Sequence, residues 1–290
     1  MKKIPDLSIV IVSHNTRNLL KNCLESVSEN RGITCQIIVI DNGSVDGSAA
    51  MVRKLFPRVI LLINRENTGF TKASNAGIRV ANGRYILLLN SDTEISPDVL
   101  SKIVAYMDNN KLEVATAKLV LPDGQLDPAC HRGFPTPWAA FSYTFKLEKL
   151  FPKSRIFGGY HLGYLGFETV HEIDCPSGAF FLVKKEVIDN VGLLDETYFM
   201  YAEDIDWAWR IKKQGFRIWY LPQFTVLHRK KQSGRANANF QKRRLATLLF
   251  YENNLRFYQK HYQNLYPQPV SFFVKLFYFI RMAIVKSLGI

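Results

Sequence analysis

From Leu7 to Met107, short apolar runs alternate with segments whose apolar residues recur three and four apart. Ser8–Val12, Gln36–Ile40, Val59–Ile63 and Tyr85–Leu89 are runs of valine, isoleucine and leucine with no polar alternation, which predicts strands buried on both faces. Thr16–Ser28, Asp46–Leu55 and Lys72–Val80 predict helices between them, and Pro97–Met107 predicts a fourth, with proline near its first turn. Strand and helix in strict alternation predict an α/β fold, with a Rossmann-like, mostly parallel central sheet flanked by helices.

The second half is less regular. Pro122, Asp123 and Gly124 predict a tight turn, and Pro135–Gly166, rich in aromatics, glycine and proline, predicts a long loop with one short helix. Ala179–Val183 and Phe216–Tyr220 predict strands. Lys185–Asn190 and Glu203–Gln214 predict helices, the latter with acids in its first turn and Gly215 at its end.

In a doubly wound sheet the ligand lies beyond the carboxyl ends of the strands. The residues that follow each of the first four runs are polar: Ser13, His14 and Asn15; Asp41, Asn42 and Gly43; Asn64 to Gly69; Asn90, Ser91 and Asp92. They are expected to converge on one edge of the sheet.

Charge adds a division of the chain. Of the net +13, residues 228 to 290 carry +11, with Glu252 their only acid, which leaves +2 for the remainder. The reading is a catalytic domain over 1–235 and a basic appendage over 236–290, in which Gln241–Tyr262 and Val270–Leu288 predict two amphipathic helices separated by Pro267 and Pro269. Such a tail attracts polyanions, so charge alone admits nucleic acid, anionic lipid and diphosphates as partners. A peripheral helix in the headgroup region is one account of the tail. A homodimer interface, or packing on the catalytic body, is the other. The longest uninterrupted apolar run near the end, Leu276–Ile280, is far short of the ~20 residues of a spanning helix. Met1–Asp6 leaves no room for a signal peptide. Four scattered cysteines without a C-x-x-C pair point away from zinc and redox motifs, and towards a reduced, cytoplasmic compartment.

Four clusters could carry chemistry. Asp41 in Val39–Ser44 could accept the imino N–H of a pyrimidine, although Asp-Asn-Gly-Ser is also an ordinary turn. Asp92 could bind Mg²⁺ or Mn²⁺ together with substrate phosphates, or cap a helix. Glu203, Asp204 and Asp206 could supply a general base, or serve the helix dipole. Trp207 and Trp209 could stack on a sugar or fill the core. His228, followed by Arg229, Lys230 and Lys231, could ligate the same cation or sit in a solvated basic loop.

In their order along residues 7 to 234, these segments resemble family 2 of the glycosyltransferases, which have the GT-A fold. The resemblance rests on Ser8–Asn15, Val39–Asp46, Glu66–Phe70 with Asn75–Gly77, Leu88–Asp92, Ser177–Phe180, and Gly192–Asp195 running on to Tyr198–Asp204 and Arg210. It implies a nucleotide site formed by Ser13, Asn15, Asp41, Asn67, Ser91 and Asp92, with Asp41 reading the pyrimidine. It further implies a divalent metal on Asp92, with His228 closing the metal or diphosphate site, and a general base at Asp204 with Glu203 beside it; Trp207 stands as the candidate acceptor surface. Asn90 stands where the family commonly has the first aspartate of Asp-x-Asp, so the metal site would carry one charge fewer. The pattern is most similar to bacterial rhamnosyltransferases that use dTDP-L-rhamnose. The partners implied are a dTDP- or UDP-sugar, a lipid-linked or glycan acceptor and a membrane surface, with no nucleic acid. The rival outside enzymes is a nucleotide-sugar-binding scaffold or sensor. A sugar nucleotidyltransferase would need a glycine-rich loop after the first strand, and Ser13–Arg17 contains no glycine.

Overall fold

The computed structural model describes residues 4–230 and 240–288. The expected alternation is present: β1 (Leu7–Ser13), α1 (Arg17–Ser28), β2 (Cys35–Asn42), α2 (Ser48–Leu55), β3 (Ile60–Asn64), α3 (Phe70–Val80) and β4 (Tyr85–Asn90). After these come β5 (Thr93–Ile95), α4 (Val99–Asn110), β6 (Val114–Val120), α5 (Pro137–Thr144), α6 (Leu147–Leu150), β7 (His171–Ile173), β8 (Phe180–Lys184) and α7 (Lys185–Val191). The chain then runs through α8 (Glu203–Lys213), β9 (Ile218–His228), α9 (Phe240–His261) and α10 (Gln268–Leu288).

Among the described residues, nine strands form one sheet in the order β3-β2-β1-β4-β8-β6-β9-β5, with β7 on the far side of β9. β3, β2, β1 and β4 are mutually parallel, whereas β8 runs antiparallel to β4 and opens a mixed half. β1 and β4 are apolar on both faces because helices cover both, and every residue of β4 up to Leu89 is buried. β3 corrects the expectation of burial on both faces. It lies at the sheet edge, and Ile60 and Ile63 are 40% and 44% exposed. On the opposite side, α3 approaches so closely that a Cβ on Gly77 would lie 2.5 Å from Val10 and 2.6 Å from Ile40 side-chain carbons.

The segment expected to be a loop with one helix contains α5, α6 and a short 3₁₀ turn at Gly163–Leu165. The strand expected to end at Tyr220 continues through Pro222 to His228, with an irregular register against β6 at Ala117/Lys118. The tail does not hang free. Phe257, Tyr258 and Tyr262 of its first helix and the turn beyond belong to the same buried core as the sheet. Trp209 of α8 presents its ring edge-on to Tyr262, with centroids 4.9 Å apart. The boundary drawn between 235 and 236, and Lys231 of the cationic run, lie outside the described residues.

Candidate active site

The four parallel strands end level with one another. Ladder register sets Ser13 opposite Asp41, Asn42 opposite Asn64 and Val12 opposite Asn90, so backbone pairing alone brings the four polar turns to one rim. Asp41 is buried there; its Oδ2 accepts the Ser44 N–H at 3.2 Å, while Oδ1 has no hydrogen-bond partner. A buried carboxylate oxygen left unmatched costs free energy unless a ligand donor meets it.

Asn42, beside it, holds the rim together. Its Nδ2 donates to Asn67 Oδ1 and the Gly69 carbonyl, and its Oδ1 accepts from Asn64 Nδ2 and the Thr68 N–H. Asn67 is fixed by this network and also accepts the Gly69 N–H at 3.0 Å. Asn15, with a left-handed φ of 55°, accepts the Val45 N–H at 2.8 Å and so pins the loop that follows Asp41. Ser13 Oγ, Thr16 Oγ1 and Ser91 Oγ form a hydroxyl chain with steps of 2.8 and 3.1 Å, tying the end of β1 to the end of β4.

Asp92 leads into β5, which pairs with the last residues of β9 so that Thr93 faces His228. His228 Nε2 lies 3.2 Å from Asp92 Oδ1, and Nδ1 lies 2.8 Å from Asp127 Oδ2; Lys230 Nζ donates to the other Asp127 oxygen. Burial disfavours charge on His228, but its hydrogen bonds to Asp127 and Asp92 prevail and raise its pKa to about 9. Burial likewise opposes ionisation of Asp127, yet His228 and Lys230 hold it well below the usual carboxylate range.

These groups fit a divalent cation. Asp92 offers a carboxylate and His228, once its Nε2 proton is displaced, an imidazole nitrogen. The Asp127 carboxylate fixes the ring through its other nitrogen, the usual support for a metal-bound histidine. Among the described residues no group of three histidine, cysteine or acidic side chains is placed to hold a metal ion by itself. A cation here would therefore complete its shell with phosphate oxygens and water.

The third carboxylate site arrives by a separate route. Tyr201 and Ala202, both left-handed at φ 72° and 65°, turn the chain into α8. Asp204 Oδ2 accepts from Arg132 Nη2 at 2.6 Å, and the same guanidinium donates to the Pro176 carbonyl. Pro176 leads into β8, whose entry meets the end of β4 through Asn90 N–H to Ala179 O at 3.2 Å. The loop before α8 also reaches the start of α3, where Phe70 N–H donates to the Phe199 carbonyl at 2.8 Å. Gly69 permits this approach: it has φ 90°, and a Cβ there would lie 2.6 Å from that carbonyl oxygen. Two contact paths thus bring Glu203 and Asp204 to the rim that carries Asp41 and Asp92.

The three acids of the α8 start have different surroundings. Glu203 is buried, and burial followed by the charge of Asp204 pushes its pKa upward; its Oε2 has no partner. Asp206 is fully buried, but hydrogen bonds from His261 and Lys260, with the charge of Arg210, outweigh burial and lower its pKa to about 2. Asp206 therefore anchors α9 to the body. Trp207 corrects the expectation of an acceptor surface. It is fully buried, its ring packs on Phe181 and its Nε1 donates to the Gly192 carbonyl, so no face is open to a sugar. Asp127 and Arg132 escaped the sequence reading, and Asn42 was placed at the rim without a role. Asn42 carried a signal, being adjacent to Asp41 in a polar strand end, but the partners of Asp127 and Arg132 lie 101 and 72 residues away.

The family model of glycosyl transferase family 2 matches residues 8–190. The succinoglycan biosynthesis protein ExoO of Rhizobium meliloti is 33% identical over 118 residues, which are 40% of this chain but only 34% of that protein. The N-acetylglucosaminyl-diphospho-decaprenol L-rhamnosyltransferase of Mycobacterium tuberculosis is 26% identical over 256 residues, covering 78% of this chain and 77% of that one. Among solved structures, the mannosyltransferase PcManGT of Pyrobaculum calidifontis, in complex with GDP-Man and Mn²⁺, superposes with a TM-score of 0.60 at 14% identity, over 96% of this chain and 70% of that one. The expected GT-A architecture is met.

Proposed function

The chain belongs to glycosyl transferase family 2, and on that premise we propose that it is an inverting glycosyltransferase. It moves a sugar, L-rhamnose from dTDP-rhamnose, to a hydroxyl of a lipid-linked or polysaccharide acceptor in cell-surface glycan synthesis. The observation that carries this reading is the gathering of Asp41, the Asp92–His228 pair and the Glu203–Asp204 turn at one rim of the sheet. The unmatched Oδ1 of Asp41 suits the imino N–H of thymine or uracil, and so favours a dTDP- or UDP-sugar. Ser13, Asn15, Asn67 and Ser91 frame the base and ribose. The named rhamnosyltransferase relative supports the choice of sugar.

The base assignment follows from the unequal acids. Glu203 is buried beside the Asp204 charge, which raises its pKa, favours the protonated form and makes it the weaker choice of base. Asp204, oriented by Arg132, deprotonates the acceptor hydroxyl as its oxygen attacks the anomeric carbon from the face opposite the leaving diphosphate, giving one inversion. Asp92 and His228 would hold Mg²⁺ or Mn²⁺, which when bound neutralises charge on the departing nucleoside diphosphate. The setting proposed is the cytoplasmic face of the cell membrane.

The test is a panel of dTDP-, UDP- and GDP-sugars with Mg²⁺ or Mn²⁺, read as a shift in melting temperature. dTDP-rhamnose should give the largest shift. Asp204→Asn should keep that shift and lose turnover by at least ~10²-fold. Normal turnover in Asp204→Asn would remove the base assignment; a donor shift with no turnover by the unaltered chain on any offered acceptor would favour a binding scaffold.

A further inference from the structure

Two elements unused by the donor and base sites share an exposed apolar face. α10 carries two stripes at helical spacing. Ser271, Met282 and Val285 are buried on the side turned to the body. On the other, Phe272, Phe273, Phe277, Phe279, Ile280 and Ile284 are between 36% and 66% exposed. Facing α10 across a groove of about 460 Å³ is α5, whose Trp138 and Phe141, with Phe145 just past its end, line the same groove. Those three rings are 45% to 60% exposed, so the groove opens onto a continuous apolar surface rather than closing into a core.

The border of this surface is basic. Lys275, Arg281 and Lys286 lie on α10, which holds no acid, and Lys146, Lys149, Lys153 and Arg155 follow α5. The one acid among residues 137–166, Glu148, is engaged by His161 at 2.7 Å. No described helix is long and apolar enough to cross a membrane. An apolar centre with a cationic edge matches the headgroup zone of an anionic bilayer, where aromatic rings enter the interface and lysine and arginine meet phosphate.

We infer that α5 and α10 together form a docking face for an anionic phospholipid surface, with α10 lying in the headgroup plane. The inclusion of α5 distinguishes this from attachment by a basic tail. The face stands apart from the transfer chemistry and needs no nucleotide.

The experiment is flotation of the full chain with vesicles of phosphatidylcholine alone or mixed with phosphatidylglycerol, across a salt series. Three variants accompany it: Phe145→Ser at the end of α5, Phe272→Ser with Phe279→Ser on α10, and Lys275→Glu with Lys286→Glu. All these positions but Lys275 are exposed, and melting temperature checks folding. The unaltered chain should float with the anionic vesicles, less with the neutral ones, and fall away as salt rises; each variant should reduce partitioning by at least ~5-fold. Equal binding to both vesicle types, or full binding by Phe145→Ser, overturns the two-element face. No vesicle binding, with a dimer in sedimentation that the phenylalanine variants break into monomers, assigns the face to a second copy instead. A donor-induced melting shift, measured on the same samples, separates failure of this inference from failure of the proposed transfer reaction.

Discussion

Asp127 shows how much of the site rests on residues that touch no substrate. It orients His228 through Nδ1 and leaves Nε2 directed at Asp92. Asp127→Ala should weaken Mn²⁺ affinity by about 10- to 100-fold, read as the Mn²⁺ dependence of the melting temperature or as free Mn²⁺ by electron paramagnetic resonance; an unchanged titration would show that the ring needs no support. The cysteines give a second expectation at this scale. All four are free thiols, and burial raises Cys23 and Cys130 to about 12 and Cys35 to about 11. A thiol-specific disulfide reagent near pH 8 should therefore label the native protein slowly and the denatured protein at once. Residue types after the strands were legible because a parallel sheet dictates where strand ends go. Arg132 was not, since its meaning comes only from Asp204, Cys175 and Pro176, which the chain brings to it later.

Elements were legible where apolar residues run together or recur at helical spacing. β1, β2 and β4 are apolar runs, and the helices that follow β1 and β2 are announced by spacing. β5 and β7 have three residues each, too few for any period, and β9 carries Pro222 in its middle, which reads as a strand end. The approach of the Phe199 loop to α3 depends on Gly69, so Gly69→Ala should lower both stability and turnover, by a melting temperature drop of several degrees for roughly 1–3 kcal/mol. At the α8–α9 junction the sign of a pH effect is fixed. Asp206 has a folded pKa of about 2, below its ordinary 3.8, so it contributes stability above pH 3.8 that is lost as pH falls through 2. The amount is about 2 kcal/mol, and Asp206→Asn should flatten the stability profile over that window in denaturant titrations, while an unchanged slope would mean the anchor is not ionic.

Across the whole molecule, the basic tail is less separable than its composition suggests. Lys260 and His261 reach Asp206, Asn253 Nδ2 donates to the Met200 carbonyl, and Arg256 donates to the Thr197 carbonyl, so α9 straps the loop that carries Glu203 and Asp204. Charge showed where the composition changes, but not that aromatic residues in the same segment complete the core. Calorimetry of the full chain should accordingly give one cooperative transition; two well-separated peaks would mean that the helices melt on their own. The two sides of the rim are also held by different means. Ser13, Asp41 and Asn90 take their places from main-chain ladders, which side-chain replacement leaves standing. Glu203 and Asp204 depend on a handful of isolated ties, the Arg132, Asn253 and Arg256 bonds and the Phe70–Phe199 main-chain bond. Among diverging descendants of such a chain, the half set by main-chain ladders should therefore change slowly, and the half that carries Glu203 and Asp204 should drift first.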